Sequence, residues 1–234
     1  MAKKSSKRYK DSLAVVEKDK CFTIEEAIAT LKKFSAAKFD ESVEVNFYLG
    51  IDPKQSNQAV RGTVSLPHGT GKEVRVLVFC RGEEAKQAEE AGADYVGADE
   101  LINKVAGGWT DFDVVVAHPT MMKDISRLGK ILGPRNLMPS PKVGTVTPDV
   151  GKAVKEVKKG KIEFKSDRTA GLHVACGKIS FDDDKLVDNV KSVIKTVIDY
   201  KPSSSKGTYL KHIAVSTTMG PGVTIDIGSL ANFK

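Results

Sequence analysis

Three hydroxyl side chains and a methionine stand together in the stretch STTMGPG, residues 216–222, between two apolar runs. A serine or threonine hydroxyl becomes a nucleophile only beside a positioned base, and no recognisable motif supplies one here. Hydroxyl and backbone groups can also hydrogen-bond the ribose hydroxyls and phosphates of RNA. A plain hairpin turn is the competing interpretation, and it explains the glycines and the proline but leaves Met219 without a role.

Enzyme motifs fail elsewhere in the chain. HGTGK, residues 68–72, resembles the end of a phosphate-binding loop, yet Leu66 and Glu73 replace the glycine and the hydroxyl residue that such a loop requires. The apolar run EVRVLVFC is not followed by the Gly-x-Gly-x-x-Gly fingerprint of dinucleotide-binding proteins. The four histidines lie far apart and have no cysteine at ligand spacing. The sequence therefore predicts no catalytic residue, no metal site and no cofactor.

The net charge of +7 is unevenly distributed along the chain. Residues 68–158 carry 13 basic and 13 acidic side chains, whereas residues 1–67 carry 12 against 9 and residues 159–234 carry 12 against 8. The whole excess thus lies in the two outer pieces, and this asymmetry favours a polyanion as their partner. On charge alone, a solvated basic surface with an unstructured N-terminal tail explains the numbers equally well.

The pattern of apolar residues predicts two styles of secondary structure. Thr23 and Glu26 have the spacing of a capping box at the start of a helix, and ESVEVNFYLGID alternates like a half-buried strand. In the middle of the chain, fully apolar strands alternate with helices, which is typical of a parallel sheet covered on both faces. The last piece returns to half-buried strands, with KIEFKS and GLHVACGKISF predicted as a hairpin around the turn DRTA, and YLKHIAVS and VTIDIG as a second hairpin.

These elements predict an α/β (α+β) protein of two domains. Residues 1–67 and 159–234 together form a discontinuous two-layer α/β sandwich, and residues 68–158 form an inserted doubly wound three-layer α/β domain. The three cysteines have no Cys-x-x-Cys pair, which suits a reducing compartment, and they are expected as small buried residues. No run approaches the about 20 apolar residues of a membrane helix, and the basic N-terminus is not followed by the apolar stretch of a signal peptide, so we expect a cytoplasmic protein.

Three long motifs resemble one known family over essentially the whole chain. They are KFDESVEVNFYLGIDPKQSNQAVRGTVSLPHGTGK, VVAHPTMMKDISRLGKILGPRNLMPSPKVGTVTPDV and STTMGPG, in the order and spacing found in the bacterial ribosomal protein L-one family. Members of that family belong to the mobile stalk beside the exit site of the large ribosomal subunit. The chain departs from the family pattern at Asn136 and Ser140, where glycine and asparagine are usual.

The resemblance implies a noncatalytic RNA-binding protein with three partners. They are the 23S rRNA of the large subunit, the deacylated tRNA that leaves the exit site, and the mRNA of the protein's own operon, whose translation it represses by binding a site that imitates the ribosomal one. The resemblance also implies a monomer when free, no membrane association, and a discontinuous domain that binds the rRNA. A hinge is expected where the chain enters and leaves the inserted domain, at Pro67, His68, Gly69, Lys159 and Gly160.

The motif KFDE supplies the first RNA contacts that the resemblance implies, at Lys38, Phe39 and Glu41. A phenylalanine there can pack on a ribose or a base, and the lysine can meet a phosphate. Without the family, Phe39 would be interpreted as an ordinary core residue and Lys38 as a surface charge.

The stretch IEFKSDRTAGLH supplies four more candidates, Lys161, Lys165, Arg168 and His173. Lys161 and Lys165 share one face of a strand because their spacing is even, and Arg168 lies at the exposed turn, so a basic ridge could follow phosphates. The alternative is that these are polar edge residues that protect a sheet from pairing with another chain.

In STTMGPG the resemblance places RNA contacts on Thr218, Met219 and Gly220, with Ser216 as their neighbour. Glycine lets the main chain approach RNA closely, and methionine can cover the apolar edge of a sugar. His212, in the preceding strand, lies where family members vary and is not predicted as a contact.

An enzyme with its active site in the cleft between the domains is the second hypothesis. In it the doubly wound domain binds a small ligand near its strand ends. An anionic substrate would meet five basic side chains, which are Lys123, Arg127, Lys130, Arg135 and Lys142. The same charges are more easily explained as the solvated side of a helix and loop that contacts tRNA or RNA phosphates.

Overall fold

The computed structural model describes residues 6–16, 20–34, 37–55 and 57–233. Residues 1–5, the start of the basic tail noted in the sequence, lie outside this part of the chain. Before the insertion, the chain forms two helices and then two strands. These are α1 (Lys7–Val15), α2 (Ile24–Lys32), β1 (Ser42–Leu49) and β2 (Arg61–Ser65).

The middle of the chain alternates short strands with helices, ends in a series of short helical turns, and closes with a longer helix. Its regular elements are β3 (Val76–Phe79), α3 (Glu83–Glu90), β4 (Tyr95–Gly97), α4 (Asp99–Ala106), β5 (Val114–Ala117), α5 (Met122–Ile125), α6 (Gly129–Leu132) and α7 (Val150–Lys158). After β5, single 3₁₀ turns at Pro119–Met121 and Ser126–Leu128 alternate with α5 and α6 and form one nearly continuous helical stretch, residues 119–132. Another 3₁₀ turn lies at Pro141–Val143.

The last part of the chain returns to strands around one long helix. Its elements are β6 (Lys161–Lys165), β7 (Gly171–Lys178), α8 (Asp183–Asp199), β8 (Leu210–Thr217) and β9 (Val223–Thr224), followed by a 3₁₀ helix at Gly228–Phe233. None of the helices in the described ranges has the length and apolar character needed to cross a bilayer.

The chain divides into two compact units. Unit 1 comprises residues 1–71 and 163–234, and unit 2 comprises residues 72–162. Both boundaries lie four residues beyond those predicted from the sequence, which were 67/68 and 158/159. On the incoming side the reason is visible, because His68 and Gly69 are hydrogen-bonded to α8 of unit 1.

Unit 1 is built on an antiparallel sheet with the strand order β7-β1-β8-β9. Val43, Val45, Phe47 and Leu49 of β1 point inward and are buried, as the alternation of the sequence predicts. Helices α2 and α8 pack together and cover this inner face. The capping box of α2 is also confirmed, since Thr23 accepts a hydrogen bond from the Glu26 amide and Glu26 accepts one from the Thr23 amide.

A separate two-stranded sheet, β2 with β6, packs beside α8 in unit 1. The predicted hairpin of KIEFKS with GLHVACGKISF is therefore wrong, because β6 pairs with β2 whereas β7 pairs with β1. Phe164 of β6 is buried and meets the ring of Tyr200 edge-on, at 5.4 Å between centroids. The Phe164 side chain is thus buried within the smaller sheet's side of unit 1, next to the residue that follows α8.

Unit 2 is a parallel sheet with the strand order β4-β3-β5 and an apolar cluster on each face. On one face, Leu77 and Phe79 pack against the helical stretch 119–132 through Met121, Ile125 and Leu128. On the other face, β3 and β5 pack against α3 and α7. The predicted fold class, a two-layer sandwich with an inserted doubly wound α/β unit, is confirmed.

Asn136 adopts a left-handed backbone conformation, with φ at 56°. Few residues other than glycine tolerate this region, and asparagine is one of them. The departure from the usual glycine at this position therefore preserves the turn. At Ser140, the backbone N–H and C=O both bond the hydroxyl of Thr145, so the backbone rather than the side chain fixes that loop.

Two features of unit 1 differ from the sequence-based expectation. The N-terminal tail is not wholly unstructured, since α1 forms, starts at a Ser6 cap and buries Ser12. Cys21 is exposed rather than buried, because the neighbouring Phe22 takes the inward position and bridges Ile225. Cys80 and Cys176 are buried, as expected.

Asn189 of α8 fastens the start of the connection into unit 2. It is fully buried, accepts a hydrogen bond from the His68 amide at 3.1 Å, and donates to the carbonyls of Gly69 at 3.0 Å and Cys176 at 2.8 Å. Lys72, at the other end of the connection, forms an ion pair with Asp113 in unit 2. The hydrogen bond from Lys72 is the largest effect that lowers the pKa of the Asp113 carboxyl.

Replacing Asn189 by alanine is expected to lower the free energy of unfolding by about 2–4 kcal/mol, because three backbone groups lose their buried partner. Urea unfolding followed by circular dichroism measures the change. Asp188→Asn is the matched control, because the neighbouring Asp188 is exposed and pairs with the His68 ring at the surface, and it should change stability by less than about 1 kcal/mol. Equal unfolding midpoints for Asn189→Ala and the parent would show that this clamp is unimportant.

Candidate nucleic-acid interface

Two motifs that are far apart in sequence meet at one end of the main sheet. Val43 of β1 lies opposite Thr217 of β8, so KFDE and STTMGPG end beside each other. The Ser42 amide donates to the hydroxyl of Thr218 at 3.0 Å, and the Thr218 amide donates to the Ser42 carbonyl at 3.1 Å. Strand pairing thus brings together the RNA contacts that were predicted in KFDE and those that were predicted in STTMGPG.

The carboxylate of Glu41 joins three segments of unit 1. One oxygen lies 3.2 Å from the Arg8 guanidinium of α1, and the other accepts the Met219 amide at 3.2 Å. Arg8 also reaches the Met219 carbonyl at 3.4 Å. Because its side chain is only 8% exposed, Glu41 is suited to hold the 218–220 loop in place rather than to face a ligand.

Two large apolar side chains remain in solvent around this network. Phe39 is 53% exposed and Met219 is 49% exposed. The interpretation of Phe39 as an ordinary core residue is therefore wrong, and Lys38 beside it is also exposed. Full burial of such a side chain contributes about 1.5–3 kcal/mol, and about half of this is still unrealised for each half-exposed residue, so a surface that presents both is suited to be covered by a partner.

Gly220 is required by close packing. A β-carbon at this position would lie 2.4 Å from the Thr217 hydroxyl and 3.0 Å from the ring of Phe34. A cleft of about 100 Å³ opens beside it, and Arg8, Phe39 and Glu41 are among its lining residues. The glycine lets the loop approach the ring of Phe34, which follows α2, while the neighbouring Met219 stays half-exposed.

Polar side chains form a row across the open face of the main sheet. Asn46, on the central strand β1, donates to the Ser216 hydroxyl at 2.9 Å and lies 2.7 Å from Nδ1 of His173 on β7. Ser216 and His173, both predicted as RNA contacts, are thus linked through Asn46, which was not predicted as a contact. The row presents hydroxyl, amide and imidazole groups that can meet ribose or phosphate.

The predicted basic ridge is only partly available to a ligand. Lys161 is held by Glu156 at 3.0 Å, and that hydrogen bond is the largest effect that lowers the pKa of the Glu156 carboxyl. Lys165 and Arg168 are exposed. Arg168 lies near the Tyr48 end of β1, six residues and about 20 Å from the Ser42 end, so these charges form a second group separate from the Met219 loop.

The turn that presents Arg168 is rigidly built. The Asp167 carboxylate accepts hydrogen bonds from the hydroxyl and the amide of Thr169 and from the Gly171 amide, all within 2.8 Å. The bond from the Thr169 hydroxyl is the largest effect that lowers the pKa of the Asp167 carboxyl. Ala170 takes a positive φ of 64° to complete the turn.

Sequence reasoning missed Arg8 and Asn46. Arg8 belongs to a basic tail whose charges look alike in the sequence, and only α1 distinguishes it from its neighbours. Asn46 is an outward polar position of a strand, and nothing in its spacing separates it from a solvated residue.

Two of the three cysteines are buried, and the described residues offer no cluster of metal ligands. Among them, no group of three or more His, Cys, Asp or Glu side chains could hold a metal ion. Burial raises the pKa of the Cys80 thiol to about 11 and that of Cys176 to about 12. Both therefore stay protonated at neutral pH and unreactive.

Comparison with known proteins gives a consistent result. The model of the "Ribosomal protein L1p/L10e family" matches residues 31–221. "Large ribosomal subunit protein uL1" of Persephonella marina is 56% identical over 231 residues, covering 97% of this chain and 96% of the relative. The protein of the same name from Kosmotoga olearia is 54% identical over 223 residues, covering 95% of this chain and 96% of the relative.

Glu41→Ala is expected to free the Met219 loop, since the Met219 amide loses its acceptor and Arg8 loses its ion pair. Amide hydrogen exchange of the peptide spanning residues 216–222, followed by mass spectrometry, should become about tenfold faster, which corresponds to about 1.4 kcal/mol, the loss of one charge-assisted hydrogen bond.

Glu44→Ala serves as the control, because this residue lies on the open face of the same strand and should leave the exchange of the 216–222 peptide unchanged. Identical exchange in Glu41→Ala and the parent would refute the positioning role of Glu41.

Proposed function

Since the chain belongs to the ribosomal protein L1p/L10e family, we propose that its unit 1 binds 23S rRNA at the mobile stalk of the large ribosomal subunit. The protein is a structural constituent of that subunit, acts in the cytoplasm as part of the ribosome, and is not an enzyme. The hypothesis of a small-ligand enzyme is therefore set aside, and the exposed surface of unit 1 is the candidate for RNA recognition.

The observation that carries the proposal is the pair of half-exposed apolar side chains, Phe39 and Met219, on either side of a buried carboxylate. Glu41 bonds the Met219 amide, and Arg8 bonds both Glu41 and the Met219 carbonyl. The loop is thus fixed before any partner arrives, and a preordered loop loses little conformational entropy on binding.

Such a surface suits RNA that is recognised by shape and by its sugars. Phe39 can stack on a base or cover a ribose, and Met219 can cover a second sugar edge. Lys38 is exposed beside Phe39 and can meet a phosphate. The Thr218 hydroxyl, although bonded to Ser42, keeps a lone pair that can accept from a ribose hydroxyl.

The second group of candidates would extend the contact along the RNA. Lys165 and Arg168 are exposed at the far end of the sheet, and His173 lies between the two groups. A site about 20 Å long with apolar contacts at one end and cations at the other needs a folded RNA of matching shape. Lys161, held by Glu156, is the weakest member of the predicted set.

In this proposal, the surface around Phe39 and Met219 also binds the mRNA of the protein's own operon and thereby represses its translation. A site that recognises ribose and backbone shape accepts any RNA that folds in the same way. A messenger segment with the fold of the stalk site would then compete with rRNA for Phe39 and Met219, and translation would fall when free protein exceeds free rRNA.

We also propose that the protein assists release of deacylated tRNA from the exit site, with a hinge between the units. The clamp by Asn189 supports a bending point after Gly69, because the chain is bonded to unit 1 up to that residue and Lys72 is paired with Asp113 in unit 2. Where the chain returns to unit 1, Lys158 and Lys161 form ion pairs with Asp94 and Glu156 of unit 2. We therefore expect Gly160, which lies between the two lysines, to move together with unit 2.

Met219→Ala is expected to weaken binding to a stalk rRNA fragment about tenfold, because a sugar that covers this half-exposed side chain removes apolar surface from water, at about 25 cal/mol per Å². Thr218→Ala should lower the affinity in the same direction. Leu13→Ala is the matched control, because Leu13 is also a large exposed apolar residue but lies outside the proposed contact. Filter binding or fluorescence anisotropy measures the affinity, and equal affinity of the parent and both loop variants would refute the contact.

A chain with residues 1–71 joined directly to residues 163–234 should keep most of the affinity for the same fragment, since unit 2 was assigned no major contact with it. Circular dichroism checks that the shortened chain is folded. Loss of binding in a folded chain would show that unit 2 contributes to rRNA recognition.

A further inference from the structure

Unit 2 carries a small net charge of +2, which conceals an uneven distribution along its sequence. Residues 72–117 carry 5 basic and 10 acidic side chains, whereas residues 118–162 carry 10 basic and 3 acidic. The first part supplies α3, α4 and the edge strand β4, and both helices pack against that strand. The second part follows β5, which lies at the opposite edge and is bridged by Val146. The basic part thus contributes two separate regions, which are the helical stretch and loop after β5 and the helix α7, which packs against α3.

The helical stretch 119–132 gives the basic edge a regular arrangement. Met121, Ile125, Leu128 and Leu132 repeat at helical spacing and are buried against β3 and β5. Another three residues, each two positions after a buried one, fall on the opposite face of the helix and are exposed. These three, named the basic stripe, are Lys123, Arg127 and Lys130.

Nothing within the described residues neutralises the basic stripe. None of its three members forms an ion pair there, in contrast to Lys158 and Lys161, which are paired with Asp94 and Glu156. The single acid of the helical stretch, Asp124, lies 3.7 Å from Arg81, a residue that also bonds Asp99. Three uncompensated cations thus stand in a row on an ordered helix.

We propose that the basic stripe binds the phosphate backbone of tRNA, as a second RNA surface distinct from the rRNA site of unit 1. The inference rests on the proposed function, in which tRNA is a partner but has no assigned contact surface. From Lys123 to Lys130 the stripe is about 10 Å long, which equals about three phosphate-to-phosphate spacings along one strand of a duplex.

The residue types of the basic stripe favour recognition of phosphates rather than recognition of bases. The basic stripe consists of lysine and arginine on one helix face, and no aromatic side chain of the stretch 119–132 is available to stack on a base. Arg135 and Lys142, in the loop after this stretch, are also exposed and extend the positive surface. Such a surface holds RNA without reading its sequence, which suits a partner that must later be released.

The test compares two triple variants of the full-length protein against two RNAs. K123Q/R127Q/K130Q removes the basic stripe, and K86Q/K152Q/K155Q removes three exposed lysines from α3 and α7 on the other face of the same sheet. Affinity for deacylated tRNA and for a stalk rRNA fragment is measured by fluorescence anisotropy between 50 and 200 mM salt, about the range over which phosphate contacts are most visible.

The stripe variant should bind tRNA about tenfold more weakly, with a salt slope smaller by about 2 to 3, while its affinity for the stalk fragment stays within about twofold of the parent. The control variant should match the parent for both RNAs. The inference is overturned if the parent does not bind tRNA, if the stripe variant binds tRNA as the parent does, or if both variants lose affinity equally. Failure of the parent to bind the stalk fragment would instead refute the proposed function.

Discussion

The pairing of β1 with two strands from beyond the insertion is the constraint on which unit 1 depends. Strand β1 lies between β7 and β8, so the two ends of the chain are held in one sheet by backbone hydrogen bonds. A slip of one residue would turn the inward side chains of β1 outward. It would also separate Ser42 from Thr218 and Glu41 from Met219, so that the register which builds the core also builds the candidate RNA surface.

Much of the fold was predictable because local signals agree with the final structure. The capping box of Thr23 and Glu26, the alternation of β1 and the fully apolar strands of unit 2 are all confirmed. The hairpin of β6 with β7 was wrong because no local signal tells which strand a neighbour will pair with, and β6 pairs with the distant β2. Helix α1 was missed because a polar helix held by one ion pair has no apolar stripe to reveal it.

The candidate site was predictable as a set of residues, but not as a set of roles. The family resemblance pointed to Phe39, Glu41 and Met219, whereas the structure gives Glu41 a supporting function through Arg8 and the Met219 amide. A buried carboxylate between two segments cannot be told from an exposed one by spacing. Likewise, the equal numbers of charges in residues 68–158 concealed an acidic first half and a basic second half, and composition does not show where the fold places them.

The position of β1 also sets an order of events during synthesis. All the strands of unit 2 lie within residues 76–117, so this unit can fold while the rest of the chain is still being made. Strand β1 has to wait for residues 171–178 and 210–217 before either neighbour exists. The surface around Phe39 and Met219 is therefore assembled last, and an unfinished chain emerging from a ribosome, which is surrounded by RNA, does not yet carry it.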